Sequence, residues 1–301
     1  MLPSLTRYYL LDVFTDRPFA GNPLAVFLDA DGLEAERMQA IANELNLAET
    51  VFVGRAQAGA HFPLRIFTPD RELPFAGHPC IGTAHLLAAQ GLVDNARSEL
   101  VLDLAAGPLK VTYEGDLARF RIARAPEVGT STLGQASAAE LAGLAPDDIA
   151  GDPVQASCGL PFHLVPLASV DALSGIQLAS SVWHSHVSPS GVEQVYFYVS
   201  ADNARQAKGA GTLHARMFSR HGGSFVEDPA TGSAAAALAG FLGTEMKGKS
   251  ADWRIHQGDA MGRSSLIHAR AQRDDKDKVS IEIAGQAVLI GEGGLYPQSG
   301  G

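Results

Sequence analysis

The strongest constraint on this 301-residue chain is a motif that occurs twice. Arg65-Ile66-Phe67-Thr68 runs into Phe75-Ala76-Gly77-His78-Pro79-Cys80-Ile81-Gly82-Thr83-Ala84. Later, Arg216-Met217-Phe218-Ser219 runs into Val226-Glu227-Asp228-Pro229-Ala230-Thr231-Gly232-Ser233-Ala234. Each copy reads as a strand, a polar turn of small residues and an uncharged helix rich in Ala and Leu. A duplicated half-site can offer different side chains at matching points to one small molecule. Those points carry His78 in one copy and Asp228 in the other.

The two motif helices, expected over residues 82–92 and 233–242, are apolar on nearly every side, so each must be surrounded by other structure. A curved sheet wrapped round one helix does this, and two such units account for the repeat. The expected fold is therefore α+β with two similar halves. A polar cluster of Pro126, Gly129, Ser131 and Thr132 reads as a linker over residues 123–134. The first half is then 1–123 and the second 124–286, and a last strand near 287–299 could return to the first half.

Apolar and β-branched runs predict strands at 8–14, 24–28, 50–53, 100–104 and 109–113, and residues 279–283 alternate as a half-buried strand should. Met38, Ile41, Ala42 and Leu45 fall at i, i+3, i+4 and i+7, which predicts an amphipathic helix over 34–45, with a shorter counterpart over 137–144. The Gly-rich tail after Gly291 is expected to be mobile.

A net charge of −10 with scattered positive residues argues against nucleic acid or an acidic membrane surface as partner. Two cysteines, Cys80 and Cys158, give no disulfide framework, and a reducing, cytoplasmic setting is the simpler expectation. The first residues lack the pattern of a signal peptide. Residues 73–93 carry no charged side chain, but Pro74, His78 and Pro79 make them a helix buried in a globular domain rather than a membrane span.

Several blocks together resemble one family. Asp12-Val13-Phe14-Thr15-Asp16-Arg17-Pro18-Phe19-Ala20-Gly21-Asn22-Pro23-Leu24-Ala25-Val26, Asn46-Leu47-Ala48-Glu49-Thr50, Phe75-Ala76-Gly77-His78-Pro79 and Glu227-Asp228-Pro229-Ala230-Thr231-Gly232-Ser233-Ala234 are similar, in order, to the PhzF-like isomerases of phenazine biosynthesis. Gln257-Gly258 and Met261-Gly262-Arg263-Ser264 fit the same pattern. The resemblance implies a diaminopimelate epimerase-like fold: two pseudo-symmetric domains, each an open mixed β-barrel around a central helix, with the active site in the cleft between them. It also implies cofactor-free proton transfer within a small carboxylate substrate and a homodimeric assembly. By motif position Glu49 is the proton-shuttling residue, His78 and Asp228 assist it, and Gly77, Gly232 and Ser233 hold the substrate. No metal is expected.

The residues themselves leave alternatives open. Glu49 sits where an amphipathic helix hands over to a buried strand, where desolvation would raise its pKa. From position alone a solvated glutamate at a strand entrance is the plainer reading, and only the motif set favours the catalytic one. Asp228 and His78 precede predicted helices, whose first N–H groups favour an anion; simple N-capping by Asp228 and a packed core histidine are the plainer readings. Asn22 either lines the cleft or shapes a turn. A binding protein without turnover is the competing function.

A cofactor-independent epimerase is a third reading. Racemases of this fold use two thiols, but the matching positions here, Ala76 and Pro229 or Ala230, cannot exchange a proton. Cys80 either packs in the core or lines the cleft. Trp183-His184-Ser185-His186 reads as exposed loop rather than a metal fragment, and Gly209-Ala210-Gly211 lacks the setting of a nucleotide fingerprint.

Overall fold

The computed structural model describes residues 5–57, 60–93, 99–201, 211–221 and 223–296. The chain forms two compact units, Met1–Phe120 with Ala284–Gly301, and Arg121–Ile283. The first holds β1 (Thr6–Val13), β2 (Asn22–Phe27), α1 (Ala35–Leu45), β3 (Glu49–Val53), β4 (His61–Phe67), β5 (Glu72–Leu73), α2 (Gly77–Ala89), β6 (Glu99–Leu104), β7 (Gly107–Glu114) and β8 (Leu117–Arg121). The second holds β9 (Glu127–Thr130), α3 (Gln135–Ala142), β10 (Val154–Ser157), β11 (Pro161–Pro166), α4 (Val170–Ser174), α5 (Ser180–Val182), β12 (Gln194–Ser200), β13 (Gly211–His221), β14 (Ser224–Asp228), α6 (Gly232–Glu245), β15 (Ser250–Gln257), β16 (Ser265–Arg273) and β17 (Val279–Gly285). The last strand, β18 (Ala287–Leu295), pairs antiparallel with β1.

Strand pairing repeats between the units. In the first, β2 runs parallel to β3, β3 antiparallel to β4, β4 antiparallel to β5 and parallel to β6. In the second, β11 runs parallel to β12, β12 antiparallel to β13, β13 antiparallel to β14 and parallel to β15. Each unit is thus a mixed sheet packed on one central helix, and the α+β fold read from the sequence is the one present.

The central helices show why the repeat takes this form. Buried residues fall on all faces of α2 and α6, and glycine lets the helices approach the strands. A Cβ at Gly82 would lie 2.5 Å from Leu24 Cδ2, and one at Gly243 would lie 2.8 Å from Ala271 Cβ. On its amphipathic side α1 packs Met38, Ile41 and Ala42 against Phe27, Phe52 and Phe67. Phe27 and Phe52 stack at 4.9 Å, and Phe52 meets Phe67 edge-on at 5.5 Å.

The repeated Arg–x–Phe has one job in both copies. Arg65 makes a two-pronged bond to Glu72 (2.7 and 2.7 Å) while its guanidinium lies 5.2 Å from the Phe67 ring centre. Arg216 does the same with Glu227 (2.8 and 2.8 Å), 4.9 Å from the Phe218 ring centre. The planar fork satisfies both carboxylate oxygens and fixes the strand that leads into each helix.

Four expectations are corrected. Both motif helices begin earlier than predicted, α2 at Gly77 and α6 at Gly232; a proline in the first turn, as at Pro79, removes an N–H that has no helical partner anyway. The polar stretch taken for a linker contains β9, which pairs with β10. Trp183–Val187 is a π-helical turn, with Trp183 buried and its indole N–H donating to Glu193 at 2.6 Å, rather than a loop. The tail after Gly291 is strand through Leu295; its residues 297–301 lie outside the described residues, as do Gly209 and Ala210 of the Gly-Ala-Gly segment.

Candidate active site

In the first unit, α1 ends on Asn46 in the left-handed conformation (φ 50°). Three residues later β3 opens with Glu49. β3 lies parallel to β2, pairing Leu24 with Glu49, which sets the carboxyl beside the start of α2. There His78 Nε2 stands 3.5 Å from Glu49 Oε2, with the two side chains 6% and 17% exposed. Glu49 is therefore partly buried, with its Oε2 covered beside an imidazole.

His78 is the second residue of α2 rather than a residue preceding it. Burial drives its pKa down to about 3, against a smaller opposing effect of a hydrogen bond to the Pro23 backbone. The ring is neutral at physiological pH. A bond to a carbonyl requires an N–H, and Nε2 has no hydrogen-bond partner among the described residues. Nδ1 therefore carries the hydrogen, and Nε2 presents a lone pair to Glu49. The Pro23 carbonyl is itself held in place. Asp12, wholly buried on β1 opposite Pro23, accepts the Phe19 N–H at 2.6 Å and ties down the loop between β1 and β2.

This pair has two chemical states. Protonated, Glu49 can donate to the imidazole lone pair. Ionised, it joins that lone pair as a second buried acceptor, a place for a proton or donor brought by a ligand.

In the second unit Asp228 is the last residue of β14 and lies opposite Met217 on β13. It does not serve as N-cap of α6. That position is Thr231, whose hydroxyl donates to Asp228 Oδ2 at 2.5 Å. The turn between them is held by Gln257, 1% exposed, which donates to the Asp228 carbonyl at 2.7 Å and to Thr231 Oγ1 at 3.0 Å. Ser265 donates to the Pro229 carbonyl at 2.9 Å. Gly232 and Ser233 begin the helix, as Gly77 and His78 begin α2.

Register aligns the two halves residue by residue. Phe67 pairs with Thr50 and Glu72, and Phe218 pairs with Val195 and Glu227. Asp228 therefore corresponds to Leu73, Thr231 to Ala76, Gly232 to Gly77 and Ser233 to His78. The sequence reading had set Ala76 against Pro229 or Ala230; the strand register corrects this to Thr231. It also places Gln194, the first residue of β12, where Glu49 opens β3. The ionisable group appears in one half and an amide, which cannot shuttle protons, in the other.

Both thiols are internal. Cys80 is fully buried in α2 and burial pushes its pKa up. Cys158 donates to the Ala236 carbonyl at 3.3 Å and is pushed up to about 12, mainly by burial. Neither offers a thiolate near neutral pH. Among the described residues no group of three or more His, Cys, Asp or Glu is placed to hold a metal ion, and no helix is long and apolar enough to cross a membrane. Thr231 and Gln257 stand in motif blocks of the sequence, but their bonds to each other and to Asp228 do not show there; Tyr196 was missed, its one signal being a phenol within the apolar run of β12.

An uncharacterized isomerase of Mesorhizobium japonicum is 38% identical, over 97% of this chain and 99% of its own length. The trans-2,3-dihydro-3-hydroxyanthranilate isomerase of Pseudomonas aeruginosa is 35% identical over 96% of this chain and 99% of its own. The crystal structure of a Bacillus anthracis phenazine biosynthesis protein of the PhzF family superposes with a TM-score of 0.86 at 25% identity, covering 97% of this chain and 99% of that one. Residues 11–293 match the family described as phenazine biosynthesis-like protein. The chain belongs to that phenazine biosynthesis-like, PhzC-PhzF, family.

Proposed function

We propose that this protein is a cofactor-independent isomerase in which Glu49 removes and returns a proton on a small carboxylate substrate. The observation that carries the reading is the buried contact of Glu49 Oε2 with His78 Nε2 at 3.5 Å. General acid–base catalysis requires a carboxyl that can hold a proton in one step and release it in the next. The neutral imidazole supplies a fixed acceptor beside it without adding positive charge.

The unequal halves support isomerisation over racemisation. Inverting a carbon centre by two-base chemistry needs a protonatable group on each side, as two thiols would provide. Here the position matching Glu49 is Gln194, and Cys80 and Cys158 are buried with raised pKa values. One carboxyl that both takes and returns the proton suits a 1,3-shift along one face of an unsaturated ring. By its motif, Asp228 is the second acidic group proposed to take part in the reaction. First-turn N–H groups have no partner within their own helix, which makes Gly77 at the start of α2, and Gly232 and Ser233 at the start of α6, candidates for holding a substrate carboxylate.

The substrate to try first is the one named for the Pseudomonas aeruginosa relative, trans-2,3-dihydro-3-hydroxyanthranilate. Conversion followed by NMR in D₂O tests the reading. Turnover by the wild type, lost in Glu49→Gln, supports it. Binding without turnover of this and related unsaturated cyclic acids would favour a binding protein.

A further inference from the structure

Gln257 uses its whole hydrogen-bonding capacity. Its Nε2 donates to the Asp228 carbonyl (2.7 Å) and to Thr231 Oγ1 (3.0 Å), and its Oε1 accepts from the Thr231 N–H (3.3 Å) and the Tyr196 hydroxyl (3.1 Å). An amide has two donors and two acceptor sites, so its orientation is fixed. Because Thr231 Oγ1 accepts from Gln257, its own hydrogen is directed to Asp228 Oδ2 at 2.5 Å. The Tyr196 O–H, one Gln257 N–H and the Thr231 O–H therefore run in series toward the Asp228 carboxylate, while the second Gln257 N–H holds the Asp228 carbonyl. The short final contact lies in the range of charge-assisted O–H···O⁻ bonds.

The other half of the molecule serves as an internal control. β13 pairs Thr212 with Arg254 and Ala215 with Gln257, whereas β4 pairs His61 with Val101. Counted from the matched arginines 65 and 216, Gln257 then corresponds to Leu104, Tyr196 to Val51 and Thr231 to Ala76. All three polar members are apolar where the counterpart of Asp228 is Leu73. The three occur as a set with the carboxylate and are replaced as a set without it, which packing alone does not require.

We infer that Tyr196, Gln257 and Thr231 are positioning residues that hold Asp228 as a carboxylate with one oxygen anchored, so that it meets the substrate as a fixed anion and not as a proton donor. Its role at the substrate rests on the isomerase reading above; its ionisation does not. Around it, β12 presents the Tyr196 phenol, β13 presents Met217 with neighbouring Arg216 tied to Glu227, and β15 presents the neutral Gln257 amide. Burial and the Asp228 charge both push the Tyr196 pKa up, so the phenol stays a donor.

The test is a ¹³C NMR titration of aspartate side-chain carboxyls in the full-length protein, with the Asp228 signal assigned by its loss in Asp228→Asn. A hydrogen bond to the charged form lowers a carboxyl pKa, so deleting it raises the midpoint. Thr231→Val should move the Asp228 midpoint up by about one unit, Thr231→Ser should leave it in place, and Tyr196→Phe should give a smaller upward shift. If Thr231→Val does not fold, Tyr196→Phe decides. An unchanged midpoint in both, or an equal shift in Thr231→Ser and Thr231→Val, overturns the inference. No substrate enters the measurement, so absence of isomerase turnover and failure of this inference are separate results.

Discussion

The Nε2 lone pair of His78 faces the Glu49 carboxyl at 3.5 Å, because the other ring nitrogen is committed to the Pro23 backbone. The tautomer is thereby set by a strand, β2, that also pairs with the strand bearing Glu49. One sheet contact positions both members of the pair. ¹⁵N NMR should show His78 neutral with the hydrogen on Nδ1 at pH 5; a charged ring or an Nε2–H form would break this link.

The same histidine sets a pH dependence of stability. Its folded pKa is about 3, below the ordinary 6.5, so in that window the unfolded chain binds the extra proton. Stability is therefore whole above about pH 6.5 and falls as pH drops toward 3. Urea unfolding between pH 7 and pH 4 should show a shallower loss in His78→Gln than in wild type. An identical slope would place the effect elsewhere.

The two Arg–Glu forks should differ in their contribution. Arg65 and Glu72 are 38% and 36% exposed, whereas Arg216 and Glu227 are 13% and 16% exposed. Arg216 also donates to the Leu173 carbonyl at 3.1 Å. Breaking an exposed pair costs about 0–1 kcal/mol, and stranding a buried partner about 3–5 kcal/mol. Glu72→Ala should then be mild and Glu227→Ala severe in chemical denaturation, with Arg216→Lys intermediate because a single ammonium cannot replace the fork.

Gly258 should not tolerate a side chain. Its φ is +81°, and a Cβ would lie 2.4 Å from the Arg263 carbonyl oxygen and 2.6 Å from that of Pro229. Both obstacles are backbone, so the turn next to Asp228 must move. Gly258→Ala should cost about 2 kcal/mol or more. Full stability in that variant would contradict the described turn.

The thiols give a direct check on the epimerase alternative. In native protein Cys80 and Cys158 should react with an alkylating reagent only at the rate of unfolding or local opening. The double variant Cys80→Ala, Cys158→Ala should retain isomerase activity within about tenfold, since neither thiol takes part in the proton transfer and only packing changes. Loss of turnover in a stably folded double variant would reopen two-thiol chemistry.

The parts of the molecule readable from sequence are those whose signal is local. Met38, Ile41 and Ala42 recur at helical spacing and are the buried face of α1. The beginnings of α2 and α6 were missed because Gly77, Pro79 and Gly232 score as helix breakers, while the first turn tolerates them. β9 was taken for a linker because all four residues are exposed and no apolar alternation marks the strand. At the site, Glu49, His78 and Asp228 stood out through their motifs. Tyr196 did not, and the part Gln257 plays was hidden although its motif was visible, because its partners are 26 and 61 residues away in sequence and only strand register brings them together.

In the proposed reaction one carboxyl, that of Glu49, carries the proton. The most direct measurement of this role is the conversion rate of trans-2,3-dihydro-3-hydroxyanthranilate by folded Glu49→Gln beside wild type. A fall of about two to four orders of magnitude is expected, the range for losing a general acid–base group, with the unfolding midpoint retained. Turnover by Glu49→Gln at the wild-type rate would contradict it.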